Sequence, residues 1–341
     1  MIVFSVYAMQ KGDMRSFQKV LKKHSRRLVK DCKVGQFGIG YKITGNKIKK
    51  STPSIVIYVT KKHTEKSLQS LQVIPVPKKI EGIPTDIIEI PGGFLPRIAD
   101  DRKHRPFPGG IATINEKANG TGTLGLIVKR TTTRLGLYGL TNNHVGANQD
   151  LRGLRPPSAK IGEHWLQPGA HGGGRKPRDT IARLLKWNRL ITASPGEVNY
   201  YDVAIGRIIR AKRSEARPYE VLEIGKVRGM TDVELGDKVM KRGRTTRKRK
   251  GIVSTIGQNV QVPYQGFPCN FEEQISIVGD PQTTPFSLGG DSGSVVVSTG
   301  NSTEPYKVNS LLFAGGRSSS GIDITIASPI RRIARDFKLI I

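Results

Sequence analysis

The sequence predicts a mainly-β chain preceded by a small α/β domain, and three observations carry that reading. With 39 Gly and 20 Pro in 341 residues, turn formers are dense enough to favour many short strands over long helices. From Ile111 onward, short apolar stretches alternate with turn residues, the pattern of a sandwich or barrel. Ahead of that point, one helical period and three strand signals stand together, cut off by a run of chain breakers.

Met14–Lys30 reads as an amphipathic helix. Phe17, Val20, Leu21, Leu28 and Val29 fall near one face, and Lys19, Lys22, Lys23, Arg26, Arg27 and Lys30 cover the rest. Val34–Thr44, which contains Gly38 and Gly40, and the β-branched run Ser54–Thr60 read as strands. The glycine pair lacks the third glycine and the opening helix of a dinucleotide site, so it is not read as one. The polar stretch Lys61–Gln72 has room for a short helix, and Thr85–Ile90 is a third strand, which gives a domain over 1–92. Pro91-Gly92-Gly93, Pro96, the charged run Asp100–Arg105 and Pro106–Gly110 make 93–110 a linker. Residues 111–341 then hold strand signals at Thr123–Val128, Leu135–Thr141, Tyr201–Ile209, Gly236–Met240, Gly251–Gly257, Val295–Ser298, Leu311–Ala314 and Ile322–Ala327. A helix over Pro329–Lys338 closes the chain.

A net charge of +29 creates a field that attracts nucleic acid, acidic proteins or anionic lipid, and it speaks to association rather than to fold. The densest part is Lys241–Lys250, where Lys241, Arg242, Arg244, Arg247, Lys248, Arg249 and Lys250 fall between two strand signals. This reads as a basic hairpin tip for phosphates or an acidic partner, with no aromatic platform for single strands. The two cysteines, Cys32 and Cys269, lie far apart, which excludes a small disulfide-stapled scaffold. Met1–Met9 is a short apolar run followed by Lys11, Asp13 and Arg15, a poor signal peptide, and no apolar run approaches a membrane span. The expectation is a cytoplasmic protein without cofactor or metal; His164 and His171, on a glycine-rich loop, fit no zinc spacing.

Three segments carry chemistry: Leu140–Ala147 (LTNNHVGA), Tyr200–Ile208 (YYDVAIGRI) and Leu288–Ser294 (LGGDSGS). A serine hydroxyl is a poor nucleophile until an adjacent base takes its proton. Attack on a carbonyl also needs backbone N–H donors aimed at the developing oxyanion. Glycines around Ser292 permit a tight turn that presents the hydroxyl together with the amides of Gly290 and Ser292. His144 is the best-placed base, and Asp202, directly before the apolar Val203-Ala204-Ile205, suits a buried carboxylate that holds the imidazole.

These segments, in the order His, Asp, Ser, resemble the motifs of the chymotrypsin/trypsin-like serine peptidases. The resemblance covers the chain from near Gly110 to its end and implies a two-barrel peptidase domain, with the second barrel from about 213. It implies a serine endopeptidase with His144, Asp202 and Ser292 as catalytic triad, Gly290 and Ser292 as oxyanion donors, and Asp291 bracing the oxyanion loop. It places Phe286 at the base of the substrate pocket, with Gly315 and Gly316 as its open wall, and no aspartate there to favour Lys or Arg. Asp237–Gly257 looks like the family hairpin that carries Gly-x-Thr-Thr-Gly; Gly243, Thr245 and Thr246 match, and Arg247 stands where a glycine is usual. Leu166–Gly169, with Gly172–Gly174 after it, and the N-terminal segments GIGYKI and IPTDIIEI resemble bacterial members related to the plant narrow-leaf-type peptidases. A different class of function, a catalytically silent peptidase-fold protein binding nucleic acid or an acidic partner, would use the basic hairpin instead.

Overall fold

The structure, a computed structural model, describes residues 11–44, 47–90, 100–154, 156–194, 196–282, 284–299, 305–319 and 321–341. The apolar run Met1–Met9 and residues 91–99 of the expected linker lie outside the described residues. The chain opens on helix α1 (Lys11–Lys30), followed by β1 (Phe37–Thr44), β2 (Lys47–Val59), α2 (Glu65–Ser70), β3 (Lys79–Ile80) and β4 (Ile83–Glu89). Most of the apolar face read from the sequence is buried: Leu21 and Leu28 of α1 pack on Phe37, Ile39, Ile55 and Ile57, with Phe17 and Val20 partly buried beside them, whereas Val29 is exposed because it lies one residue past Leu28 and turns off that face. Strands β1 and β2 form a hairpin, and β4 lies parallel to β2. Gly38 and Gly40 face another strand, where an added Cβ would come within 2.7 Å of Gln258 Cα and 2.4 Å of the Ser254 carbonyl.

Strand β5 (Phe107–Gly109) precedes the first barrel, which is built from β6 (Ile111–Asn115), β7 (Gly122–Leu124), β8 (Leu126–Arg130), β9 (Thr133–Thr141), the single turn α3 (Asn143–Gly146), β10 (His164–Leu166), β11 (Thr180–Trp187) and β12 (Ala204–Ile208). Pairing runs β8-β9-β12-β11-β10-β6-β7, and only Gly125 separates β7 from β8, so one bent strand closes the ring. Gly125 turns that corner because a Cβ there would lie 2.1 Å from the Gly293 carbonyl of the second barrel. Trp165 fills the centre with Leu124, Ile127, Leu184 and Ile208.

The second barrel follows β13 (Ala216–Val221) and β14 (Gly225–Met230). It comprises β15 (Lys238–Gly243), β16 (Arg247–Tyr264), β17 (Phe267–Gly279), β18 (Val295–Ser298), β19 (Tyr306–Arg317) and β20 (Asp323–Pro329). Its pairings close a ring, β16-β15-β18-β19-β20-β17 and back to β16. Helix α4 (Ile330–Phe337) and β21 (Leu339–Ile340) return to the first barrel, where β21 pairs with β8. Ile330, Ile333 and Phe337 of α4 join Leu126, Leu140 and Ile205 with Val295, Val297 and Leu311 in a core shared by both barrels.

Strand β1 pairs antiparallel with β16, matching Phe37 to Asn259 and Gly40 to Thr255. The N-terminal sheet is therefore continuous with the second barrel through the outer edge of its longest strand. The described part of the expected linker is also tied down: Asp100 pairs with Arg242 at 2.7 Å and Asp101 with Arg244 at 2.7 Å. These contacts correct the reading of Lys241–Lys250 as a wholly basic tip. Lys241, Arg242 and Arg244 are fully buried in ion pairs, because their side chains point from β15 and its turn toward carboxylates. Arg247, Lys248, Arg249 and Lys250 are exposed. Arg247, where the hairpin pattern it resembles would have glycine, takes φ 56°, the left-handed conformation glycine adopts most easily.

Candidate active site

The expected triad lies where the two barrels meet. Strand β9 delivers α3, the single turn that carries His144. The Asn-Asn before the histidine is buried, and its polar atoms lock this turn to the strand-head carrying Asp202. Asn142 Nδ2 donates to the Asp202 carbonyl at 2.7 Å, and Asn143 Nδ2 donates to the carbonyls of Asp150 and Asn188 at 2.9 and 2.6 Å. Asn188 Oδ1 in turn accepts from the Val203 amide at 2.7 Å. At the far end of the turn the Gly146 carbonyl accepts from Trp165 Nε1 at 2.8 Å, and a Cβ on Gly146 would lie 2.4 Å from that indole.

Asp202 is completely buried. Its Oδ2 lies 2.5 Å from His144 Nδ1, and its Oδ1 accepts from the amides of Asn143 and His144 at 2.5 and 3.3 Å. A carboxylate facing Nδ1 fixes the proton on that nitrogen and leaves Nε2 as the acceptor a general base needs. His144 Nε2 is buried without a hydrogen-bond partner among the described residues.

Ser292 sits on the opposing loop, between β17 and β18. The loop is held against the first barrel: the Thr123 amide donates to the Ser292 carbonyl at 2.8 Å, and Thr123 Oγ1 donates to the Gly290 carbonyl at 2.7 Å. Loop and histidine turn meet across Gly122, where a Cβ would lie 2.3 Å from Val145 Cγ2 and 3.0 Å from the Ser292 carbonyl. Ser292 Oγ donates to the Phe313 carbonyl at 3.3 Å, and no Ser292–His144 hydrogen bond is formed among the described residues. Gly290 and Gly293 take φ of 90° and 94°, which a glycine adopts without strain. Neither the Gly290 amide nor the Ser292 amide donates to another group among the described residues.

Asp291 points away from the cleft into a buried cradle. Lys241 Nζ lies 2.8 Å from its Oδ2, which also accepts from Thr246 Oγ1 at 2.7 Å and the Leu288 amide at 2.9 Å. The amides of Thr245 and Thr246 donate to Oδ1 at 2.8 and 3.1 Å. Burial alone would raise the carboxyl's pKa, but the Lys241 charge and these donors outweigh it and hold Asp291 below its ordinary range. The Thr245–Thr246 pair and the buried lysine thus hold the loop that carries Ser292.

The expected pocket residues separate. Phe286 is fully buried in the core of the second barrel, with Val239, Val253 and Ile277. Gly315 and Gly316 lie half-buried on β19, opposite Thr325 and Ile324 of β20. A Cβ on Gly315 would lie 3.7 Å from Ser287 Oγ, which hydrogen-bonds Thr325 Oγ1 at 2.6 Å. His164 and His171 are engaged by Thr180 at 2.8 Å and Thr121 at 3.2 Å, on separate segments. Among the described residues, no group of three or more His, Cys, Asp or Glu could hold a metal ion, and no helix is long and apolar enough to cross a membrane.

Sequence reasoning missed Tyr264. Its hydroxyl donates to Asp202 Oδ2 at 2.8 Å from the tip of the β16–β17 hairpin, some sixty residues away in the chain. Nothing in the motif spacing points to it, because the contact depends on how far that hairpin reaches.

No protein-family model matches the chain, and no curated protein sequence does. Solved structures do. Protease A of Thermobifida fusca is 15% identical over 68% of this chain and 97% of its own, with a TM-score of 0.43. Nocardiopsis protease is 16% identical over 69% and 98%, with a TM-score of 0.44. The chymotrypsin of Cellulomonas bogoriensis is 17% identical over 69% and 97%, with a TM-score of 0.43. The mainly-β double barrel itself is read from this chain's own strand pairings.

Proposed function

We propose that the protein is a serine endopeptidase that cleaves peptide bonds through an acyl-enzyme. The observation that carries this reading is the His144–Asp202 pair at 2.5 Å, which leaves Nε2 without a hydrogen-bond partner among the described residues, on the turn that meets the Ser292 loop across Gly122. In the reaction, Nε2 takes the proton of Ser292 as Oγ attacks the substrate carbonyl. Asp202 holds the ring and stabilises the imidazolium that forms. The Gly290 and Ser292 amides receive the oxyanion, and Asp291, held by Lys241 and the Thr245–Thr246 turn, keeps them in place. The imidazolium gives its proton to the leaving amine, and water, activated by the same nitrogen, releases the acyl group.

In this reading Gly315 and Gly316 form the wall of the primary pocket, with the Ser287–Thr325 hydroxyl pair beside them. No charged residue lies in Phe286–Ser287, Phe313–Gly316 or Ile324–Ile326, so an uncharged side chain fits best before the scissile bond. The division into an N-terminal module over 1–92, a connection over 93–110 and a peptidase domain over 111–341 belongs to the same proposal. So does kinship with bacterial relatives of the plant narrow-leaf-type peptidases, which Leu166–Gly169, Gly172–Gly174 and the N-terminal segments GIGYKI and IPTDIIEI support.

The test is labelling with a fluorophosphonate, mapped by mass spectrometry. Wild type is expected to label at Ser292, and Ser292→Ala to lose both the label and peptide hydrolysis while melting at the same temperature. A folded wild type that stays unlabelled would overturn the reading.

A further inference from the structure

We propose that Tyr264 is a positioning residue of the triad, its phenol holding the Asp202 carboxylate, and through it the His144 ring, from the second barrel. The proposal rests on the peptidase reading. Asp202 makes its other hydrogen bonds to groups of the first barrel: the His144 ring and the amides of Asn143 and His144. Those donors sit on one turn and move with it. The Tyr264 hydroxyl, at 2.8 Å, is the one donor to this carboxylate from the barrel that carries Ser292, among the described residues. It binds Oδ2, the same oxygen that faces His144 Nδ1, so it fixes the rotation of the carboxylate and draws charge from the atom on which the imidazole depends.

The surroundings make Tyr264 a fixed donor. It ends β16, beside a two-residue turn in which Gln265 and Gly266 have φ of 49° and 83°, the primed geometry that suits a tight hairpin. Gln265 Nε2 donates across the barrel boundary to the Gln149 carbonyl and Ser158 Oγ, both at 3.0 Å, so the tip is pinned to the loop that follows His144. The Tyr264 ring is 4% exposed and tilts against His144 at 5.9 Å on one side and Phe271 at 5.9 Å on the other. Phe271 packs on Phe313 at 4.8 Å, whose carbonyl receives the Ser292 hydroxyl. One aromatic row therefore runs from the base to the backbone beside the nucleophile. Burial first, and then the Asp202 charge, keep the phenol protonated well above its ordinary range, so it acts only as a donor.

Tyr264→Phe removes the hydroxyl and keeps the ring. In the resting protein, the proton resonance of His144 Nδ1 is expected to move downfield, because Oδ2 no longer shares its charge with a second donor. With a peptide substrate, kcat is expected to fall about ten- to hundredfold, the range for one lost hydrogen bond to a charged group, with KM within about twofold. Placing 3-fluorotyrosine at position 264 strengthens the donor and is expected to move the same resonance upfield, which gives a second reading if the Phe variant folds poorly. An unmoved resonance in the folded variants would overturn the proposal whatever the activity. A moved resonance with unchanged kcat would equally overturn a positioning role. A wild type that fails to label with fluorophosphonate would remove the peptidase reading, and the resonance would still decide the hydrogen bond.

Discussion

At the scale of single residues, the site depends on charges removed from water and answered by partners. Lys241 and Asp291 are both fully buried, so each is stable only while the other faces it. Lys241→Met is expected to cost about 3–5 kcal/mol in denaturant unfolding and to abolish fluorophosphonate labelling, since the freed carboxylate would drag the oxyanion loop. Because Asp291 is held below its ordinary range, its contribution is present above the unfolded carboxylate value of about 3.9 and is lost as pH falls through the lower folded value. Wild type should therefore lose stability on acidification more steeply than Lys241→Met/Asp291→Asn, as thermal melts from neutral pH downward would read. The candidate triad was legible in the sequence because His144, Asp202 and Ser292 each sit in a short local pattern set by backbone needs. The brace was half legible: Asp291 and the two threonines stood in the motif, but Lys241 was hidden among seven basic residues that look alike without a fold. Tyr264 had no local signal at all.

Among elements, those with clean alternation or a single apolar face were readable, as α1, β2, β9, β18 and α4 show. Strand β17 was not, because its FEEQ centre and the irregular register with β16 break the period of two, and Glu273 takes φ 62°. Strand β11, TIARLLKW, is rich in residues that also favour helix. The linker reading followed breaker density, which is blind to what charged residues find after folding. Asp100 and Asp101 anchor that segment to two buried guanidiniums, and the two anchors differ. The Asp100 carboxylate is 4% exposed and that of Asp101 is 31% exposed. Asp100→Ala is expected to cost about 3–5 kcal/mol by stranding Arg242, and Asp101→Ala distinctly less because solvent still reaches the Arg244 pair. Urea unfolding of the two variants side by side checks the order.

For the whole molecule, the +29 charge has to be set against the buried pairs. Exposed cations repel one another and are screened by salt, whereas the Lys241–Asp291 and Arg242–Asp100 pairs are dry and barely screened. The melting temperature is therefore expected to rise between about 10 mM and 500 mM sodium chloride, where the Debye length shrinks severalfold. A fall would mean that exposed attractive pairs dominate. The join between β1 and β16 has a further consequence, for the order in which the protein is made. Residues 37–44 leave the ribosome early, but their partner, Thr255–Asn259, emerges roughly two hundred residues later, a delay of roughly 10–40 s at ordinary translation speeds. Through that interval the nascent chain carries an open strand edge with nothing to pair it. Lys42, on that strand, is placed to keep one nascent chain from adding to the next.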